Sequence, residues 1–156
     1  MTTRSQTTPP APAPEEVGLH CAALHSRVFS RLVTRLFNNR LADSGLRITQ
    51  FSVLNAIKAR PPESIFQLAE LLGMERTSLQ RTVDKLIEKG LVETQPTGKK
   101  RSLGLTLTPL GETSYQQALH GWQDAQQHFE SLVGSANWEQ ISRELRGFSR
   151  QVKQTL

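Results

Sequence analysis

Side chains that can hydrogen-bond to nucleic acid gather in one short segment, residues 67–86, with the sequence QLAELLGMERTSLQRTVDKL. Arginine can bind guanine and glutamine can bind adenine through paired hydrogen bonds at the base edge, while hydroxyl groups bind phosphate. Leu79, Val83 and Leu86 recur at helical spacing, so the polar groups between them should share the opposite face of one helix. The candidate contacts are Arg76, Thr77, Ser78, Gln80, Arg81 and Lys85.

A second basic group, Lys99, Lys100 and Arg101, lies in a turn between two predicted strands. The strands are Leu91–Gln95 and Leu103–Leu107, where the apolar period changes from that of a helix to that of a strand. Such a run is often only a solvated loop. Beside a helix that reads DNA, it predicts a wing that reaches the phosphate backbone or the minor groove.

Cys21 is the single cysteine of the chain and precedes His25 by four residues, on one face of a predicted helix. A nearby imidazolium can favour a thiolate, which suits an oxidant sensor, and the two side chains could also be metal ligands. The apolar neighbours Val17 and Leu24 favour a packing role instead. Without a second cysteine, any disulfide would join two subunits or a small thiol.

Motifs for catalysis are missing from the sequence, which has no phosphate-binding glycine loop, nucleophile elbow or paired-histidine metal motif. His120 and His128 lie eight residues apart on one predicted helix, without a cysteine or carboxylate pair beside them. We therefore expect no enzymatic activity, no cofactor and no metal site.

The elements that must position these groups form a mainly α fold in which a small β-hairpin follows the fourth helix. Apolar residues recur at steps of three or four from Val17 onward and again over Gln50–Arg60. Ser64, with Gln67 three residues later, is a capping box that opens the next helix. Helix, helix, helix and hairpin in this order predict a winged helix-turn-helix.

The turn of the helix-turn-helix has its own requirements: a small residue in the first helix, a glycine, and an apolar residue inside the second helix. Ala69, Gly73 and Leu79 supply them at steps of four and six. The second helix of such a module lies in the major groove of double-stranded DNA. The alternative is an ordinary solvated helix face, since acidic residues such as Asp84 are also present.

The two ends of the chain differ from its centre. Residues 1–16 are rich in proline and contain no Val, Ile, Leu or Phe, which predicts a disordered tail. The apolar stripes of residues 17–47 and 112–156 are longer than a small winged helix at 48–111 can cover. We therefore predict N- and C-terminal dimerisation helices and a homodimer, with one larger monomeric bundle as the alternative.

The formal net charge of +5 favours an anionic partner, either nucleic acid or a membrane surface. No apolar run approaches the ~20 residues of a membrane span, and the start of the chain lacks the apolar core of a secretory signal. A single cysteine fits a reducing compartment. We expect a cytoplasmic protein without a membrane partner.

In its motifs the chain resembles the MarR family of transcriptional regulators, over roughly residues 19–156. The motifs are GLRITQF from Gly45, LAELLGMERTSLQR from Leu68, KGLV from Lys89 and LTPLG from Leu107. The resemblance implies a homodimer on a pseudo-palindromic operator, usually a repressor that a small-molecule effector or an oxidant releases. Effector pockets of the family lie between the dimerisation helices and the winged helix.

The wing departs from the family pattern. MarR-family wings usually carry an Asp-x-Arg signature, and Arg101 stands at the position of its arginine while Lys99 replaces the aspartate. The aspartate normally helps to hold the arginine in place. Arg101 should therefore keep its charge, but its side chain should point in a different direction. Some members sense peroxide through a cysteine near this part of the first helix, which keeps the sensor alternative for Cys21 open.

A rival function comes from winged helices that bind proteins and not DNA. Their groove-facing surface should be acidic or apolar, whereas the predicted DNA side here carries several cations. We therefore favour a DNA-binding regulator over a protein-interaction module.

Overall fold

A computed structural model describes residues 11–96 and 103–155 of the chain. These residues form helices and one antiparallel hairpin, which confirms the predicted fold class. In chain order the elements are α1 (Pro14–His20), α2 (Ala22–Arg40), a 3-10 turn (Ala42–Ser44), α3 (Ile48–Ala59), α4 (Ile65–Leu72), α5 (Arg76–Glu88), β1 (Val92–Pro96), β2 (Leu103–Leu107), α6 (Pro109–Val133) and α7 (Ser135–Lys153). None of the helices in this described part is long and apolar enough to cross a membrane.

The chain divides into two compact units, Met1–Thr34 and Arg35–Leu156. In the first unit, the single long helix expected from Val17 is interrupted at Cys21, whose backbone is extended (φ −72°, ψ 101°). The Cys21 carbonyl still accepts the N–H groups of Leu24 and His25, each at 3.1 Å, and so starts the ladder of α2. Periodicity alone misses this break because only one residue leaves the helix.

The start of α1 also differs from the sequence prediction, because the helix begins at Pro14, inside the segment expected to be a tail. Proline at the first helical position has a backbone angle suited to a helix. Glu15 and Glu16 in the first turn complement the positive end of the helix dipole.

The core of the second unit holds the helix-turn-helix together. Leu68 of α4 and Leu79, Val83 and Leu86 of α5 are buried, as their spacing predicted. Ala69 is also buried where the two helices pack. Burying these side chains fixes the rotation of α5 about its axis, so the polar residues between them must face outward.

Local hydrogen bonds and one glycine fix the two ends of α4, the second of which is the turn into α5. Ser64 accepts the N–H of Gln67 at 3.2 Å as the N-cap of α4. The Gln67 side chain accepts from the backbone N–H of Glu63 at 2.9 Å, one residue before the partner that a capping box would use. Gly73 then ends α4 in the left-handed region, with φ +62°.

The hairpin and α6 pack closely onto the rest of this unit. Val92 of β1 pairs with Leu107 of β2, and the Leu105 N–H donates to the Pro62 carbonyl at 3.3 Å. A Cβ added to Gly111, in the first turn of α6, would lie 1.9 Å from the Leu91 carbonyl oxygen. This position therefore requires glycine.

Candidate nucleic-acid interface

The exposed face of α5 collects every side chain that was predicted to read DNA from this helix. All of them are exposed, whereas Leu79, Val83 and Leu86 are buried. The set is Arg76, Thr77, Ser78, Gln80, Arg81 and Lys85.

The cationic side chains on this face have no partner among the residues that the structure describes. The side chains of Arg76, Arg81 and Lys85 make no hydrogen bond or ion pair with any other residue in 11–96 or 103–155. An unpaired guanidinium or ammonium group in water retains its donors for an incoming anion. These three cations can therefore bind phosphate or base acceptors without first breaking a contact to a described residue.

The remaining polar groups of the face are partly ordered by bonds along the helix. Gln80 Nε2 donates to Asp84 Oδ1 at 2.7 Å. Thr82, which was not a predicted contact, donates its hydroxyl to the Ser78 carbonyl at 3.0 Å. The amide of Gln80 thus has a defined orientation, whereas the hydroxyl of Thr82 is used by the backbone.

The wing is described only at its base. β1 ends at Pro96 and β2 begins at Leu103, which confirms the predicted hairpin strands to within one residue. Lys99, Lys100 and Arg101 lie outside the described residues. Their role as wing contacts stays a prediction.

Cys21 lies at the junction of α1 and α2 and is half-buried. Its predicted neighbour His25 donates through Nε2 to the Leu19 carbonyl at 3.0 Å. The described residues contain no group of three or more histidine, cysteine or acidic side chains that could hold a metal ion.

A cavity of about 640 Å³ lies among α3, α4 and α6, all within the second unit. The sequence did not single out its lining residues, because aromatic residues in an apolar stripe look the same whether they fill a core or line a pocket. The lining includes Phe51, Asn55, Arg60, Leu72, Tyr115 and Trp122.

Aromatic rings make the floor of this cavity. The rings of Phe51 and Tyr115 stack with centroids 5.2 Å apart, and Trp122 lies 6.3 Å from Phe51. The Tyr115 hydroxyl donates to Asn55 Oδ1 at 2.8 Å, and Lys58 Nζ lies 5.4 Å from the Tyr115 ring centroid. The cavity can therefore offer flat apolar surface with a few polar groups at its edge.

Lys58 also pairs with Glu112 at the start of α6. The hydrogen bond from Lys58, followed by one from Gln116, holds the pKa of the Glu112 carboxyl below its ordinary value of 4.5. The carboxylate is therefore favoured, and with it the link between α3 and α6.

Three packed helices, a glycine turn and a hairpin define a winged helix-turn-helix, the class to which the second unit belongs. Residues 44–101 match the family model described as MarR family, and the described part of this segment runs from the end of the 3-10 turn to the end of β1. Over this segment the chain is similar to the MarR family.

Solved structures of MarR-family regulators match the fold over most of the chain. The M. tuberculosis transcriptional regulator MosR, solved with DNA, is 27% identical and matches with a TM-score of 0.79 over 87% of this chain and 98% of its own. A mutant of E. coli MarR, solved with operator DNA, is 23% identical and matches with a TM-score of 0.74 over 85% of this chain and 96% of its own. The transcriptional repressor CouR, solved with a 23-mer DNA duplex, is 21% identical and matches with a TM-score of 0.77 over 89% of this chain and 99% of its own.

Proposed function

We propose that the protein is a sequence-specific DNA-binding transcriptional regulator, a homodimeric repressor that a small ligand or an oxidant releases from its operator. The observation that carries the proposal is the exposed face of α5, whose cations have no partner among the described residues. MosR, a relative of the same fold, was solved in complex with DNA.

The recognition helix α5 would enter the major groove, where Arg76 and Arg81 can bind guanine and Gln80 can bind adenine. Thr77 and Ser78 at its N-terminus, together with Lys85, would contact phosphates. The wing cations at positions 99–101 would add backbone or minor-groove contacts. Operators lie in the cytoplasm of a bacterium, which is where we place the protein.

A second copy of the chain would cover apolar surface that each unit leaves exposed. In α7, Ile141, Leu145, Phe148 and Val152 are exposed at steps of four and three, the spacing of a coiled-coil seam. In the first unit, exposed apolar side chains recur along α1 and α2. An exposed apolar stripe of this length marks a protein interface.

The small-molecule effector would occupy the cavity floored by Phe51, Tyr115 and Trp122. Its wall includes Leu71 and Leu72 at the end of α4, immediately before the turn at Gly73 that leads into α5. A ligand that displaced this wall would change the orientation of the recognition helix and so release DNA.

The test is selection of bound DNA from a random pool by the full chain. We expect an enriched inverted repeat with half-sites about 10 bp apart, centre to centre. The binding constant for the enriched site should fall as the salt concentration rises. In a plot of its logarithm against the logarithm of the salt concentration, each phosphate neutralised should add close to one unit to the negative slope. If no sequence is enriched and DNA is not retained, the rival function, a protein-interaction module, becomes the better account.

A further inference from the structure

We infer that Asp84 is a positioning residue that orients the Gln80 amide, so that α5 selects adenine at one base position of each half-site. The inference deepens the proposed function and rests on it. It explains why a carboxylate lies on a helix face that is expected to meet a polyanion, where its own charge is unfavourable.

Asp84 lies one helical turn after Gln80, and both side chains are exposed on α5. Gln80 Nε2 donates to Asp84 Oδ1 at 2.7 Å. No ion pair joins Asp84 to Arg81, Lys85 or any other residue that the structure describes. The contact that its carboxylate makes is therefore the one to the glutamine amide.

This contact decides which end of the amide faces the carboxylate. An ionised carboxylate only accepts hydrogen bonds, so it can be approached by the nitrogen of the amide but not by its oxygen. Without Asp84, the two orientations of an exposed glutamine amide differ little. With Asp84, Nε2 is held on the side of residue 84 and Oε1 on the other side.

An amide fixed in this way presents one remaining N–H donor and one oxygen acceptor side by side. Adenine offers the complementary pair in the major groove, the N7 acceptor and the N6 amino donor. Guanine offers two acceptors, N7 and O6, of which the fixed amide can satisfy one. A rotating amide would discriminate less, because part of its population presents the two groups in the wrong order.

The experiment repeats the random-pool selection with the full-length wild type, Gln80→Ala, Asp84→Ala and the double variant. We expect roughly tenfold adenine preference at one position of each half-site in the wild type. Asp84→Ala should reduce that preference severalfold, at the same position that Gln80→Ala affects. The double variant should lose no more than Gln80→Ala alone, since Asp84 acts through Gln80.

Two further variants separate positioning from charge. Glu88→Ala also removes a carboxylate from α5 but leaves the Gln80–Asp84 pair, so it should tighten binding to all sequences without changing base preference. Asp84→Glu keeps an acceptor within reach of the amide and should restore part of the adenine preference. Both Gln80 and Asp84 are exposed, so the temperature at which each variant unfolds should be nearly that of the wild type.

Asp84→Ala that leaves the adenine preference intact would overturn the inference. So would a change at another base position that persists in the Gln80→Ala background, because Asp84 would then contact cytosine directly. A wild type that enriches no motif would contradict the proposed function itself, a result distinct from a motif that ignores Asp84.

Discussion

We expect single residues on α5 to differ in whether they read the base sequence or only contact the DNA backbone. Arg81 is exposed in the middle of the helix and has no partner in the described chain. Arg81→Ala should weaken operator binding by ~1–3 kcal/mol and relax the choice at one base position. The measurement is fluorescence anisotropy with the selected operator and with a random duplex at one salt concentration.

Arg143→Ala is the matched control for Arg81→Ala, since it removes an exposed arginine from α7 with the same change of charge. We expect little effect on operator binding from this variant. If Arg81→Ala weakens binding to operator and random DNA equally, Arg81 contacts phosphate and does not read a base.

Cys21 is better explained by packing than by switching. It is half-buried at the junction of α1 and α2, and the His25 ring is bonded to the Leu19 carbonyl. Titration with peroxide should leave operator binding of the wild type and of Cys21→Ser equal. Release of DNA by the wild type at low peroxide, with retention by Cys21→Ser, would instead make Cys21 the oxidant sensor.

At the scale of the elements, the start of α6 packs too closely on its neighbour to accept a side chain at Gly111. Gly111→Ala would place a methyl group against the Leu91 carbonyl oxygen, which belongs to the backbone and cannot rotate away. We expect this change to destabilise the fold by about 1–3 kcal/mol in urea unfolding.

Gly147→Ala is the control for Gly111→Ala, because Gly147 lies within α7 with nothing within 4 Å of the added methyl group. Alanine favours a helix over glycine by up to about 1 kcal/mol, so this variant should be stabilised. Equal stability of the two variants would show that α6 can shift away from Leu91 at no cost.

We expect the wing to contribute to DNA binding through its total charge more than through any one contact. Arg101→Ala should weaken operator binding without changing thermal stability, because the residue is expected at the tip of the hairpin.

Lys99→Asp restores the family signature but removes two charge units from each subunit. We expect a net loss of affinity, since phosphate attraction dominates. If Lys99→Asp instead tightens binding to the operator but not to random DNA, the missing aspartate matters because it would orient the Arg101 side chain.

At the scale of the whole molecule, the exposed stripe of α7 should decide assembly. Phe148→Asp places a charge in the middle of the stripe and should shift the protein from dimer to monomer in sedimentation velocity. Operator affinity should fall with it, because one subunit reads one half-site. Ser149→Asp adds the same charge at the next, exposed residue and should leave the dimer intact. A Phe148→Asp protein that remains dimeric would contradict the proposed interface.

The sequence by itself determined the features that arise from a few neighbouring residues. The N-cap at Ser64, the glycine end of α4 at Gly73 and the buried spacing of Leu79, Val83 and Leu86 were all predicted, and the structure has them. Each depends on hydrogen bonds or apolar contacts within one or two turns. Once the buried face of α5 was known, its exposed face followed, and the residues of the candidate interface with it.

The tertiary structure decided what depends on residues far apart in the chain or on one backbone angle. Phe51 and Tyr115 are separated by 64 positions and meet in the cavity because α3 packs on α6. The break at Cys21 changes a single residue and leaves the apolar period unaltered, so the pattern could not reveal it. Periodicity reports which face of a helix is apolar, but the partner of that face is set by packing, which has no local signature.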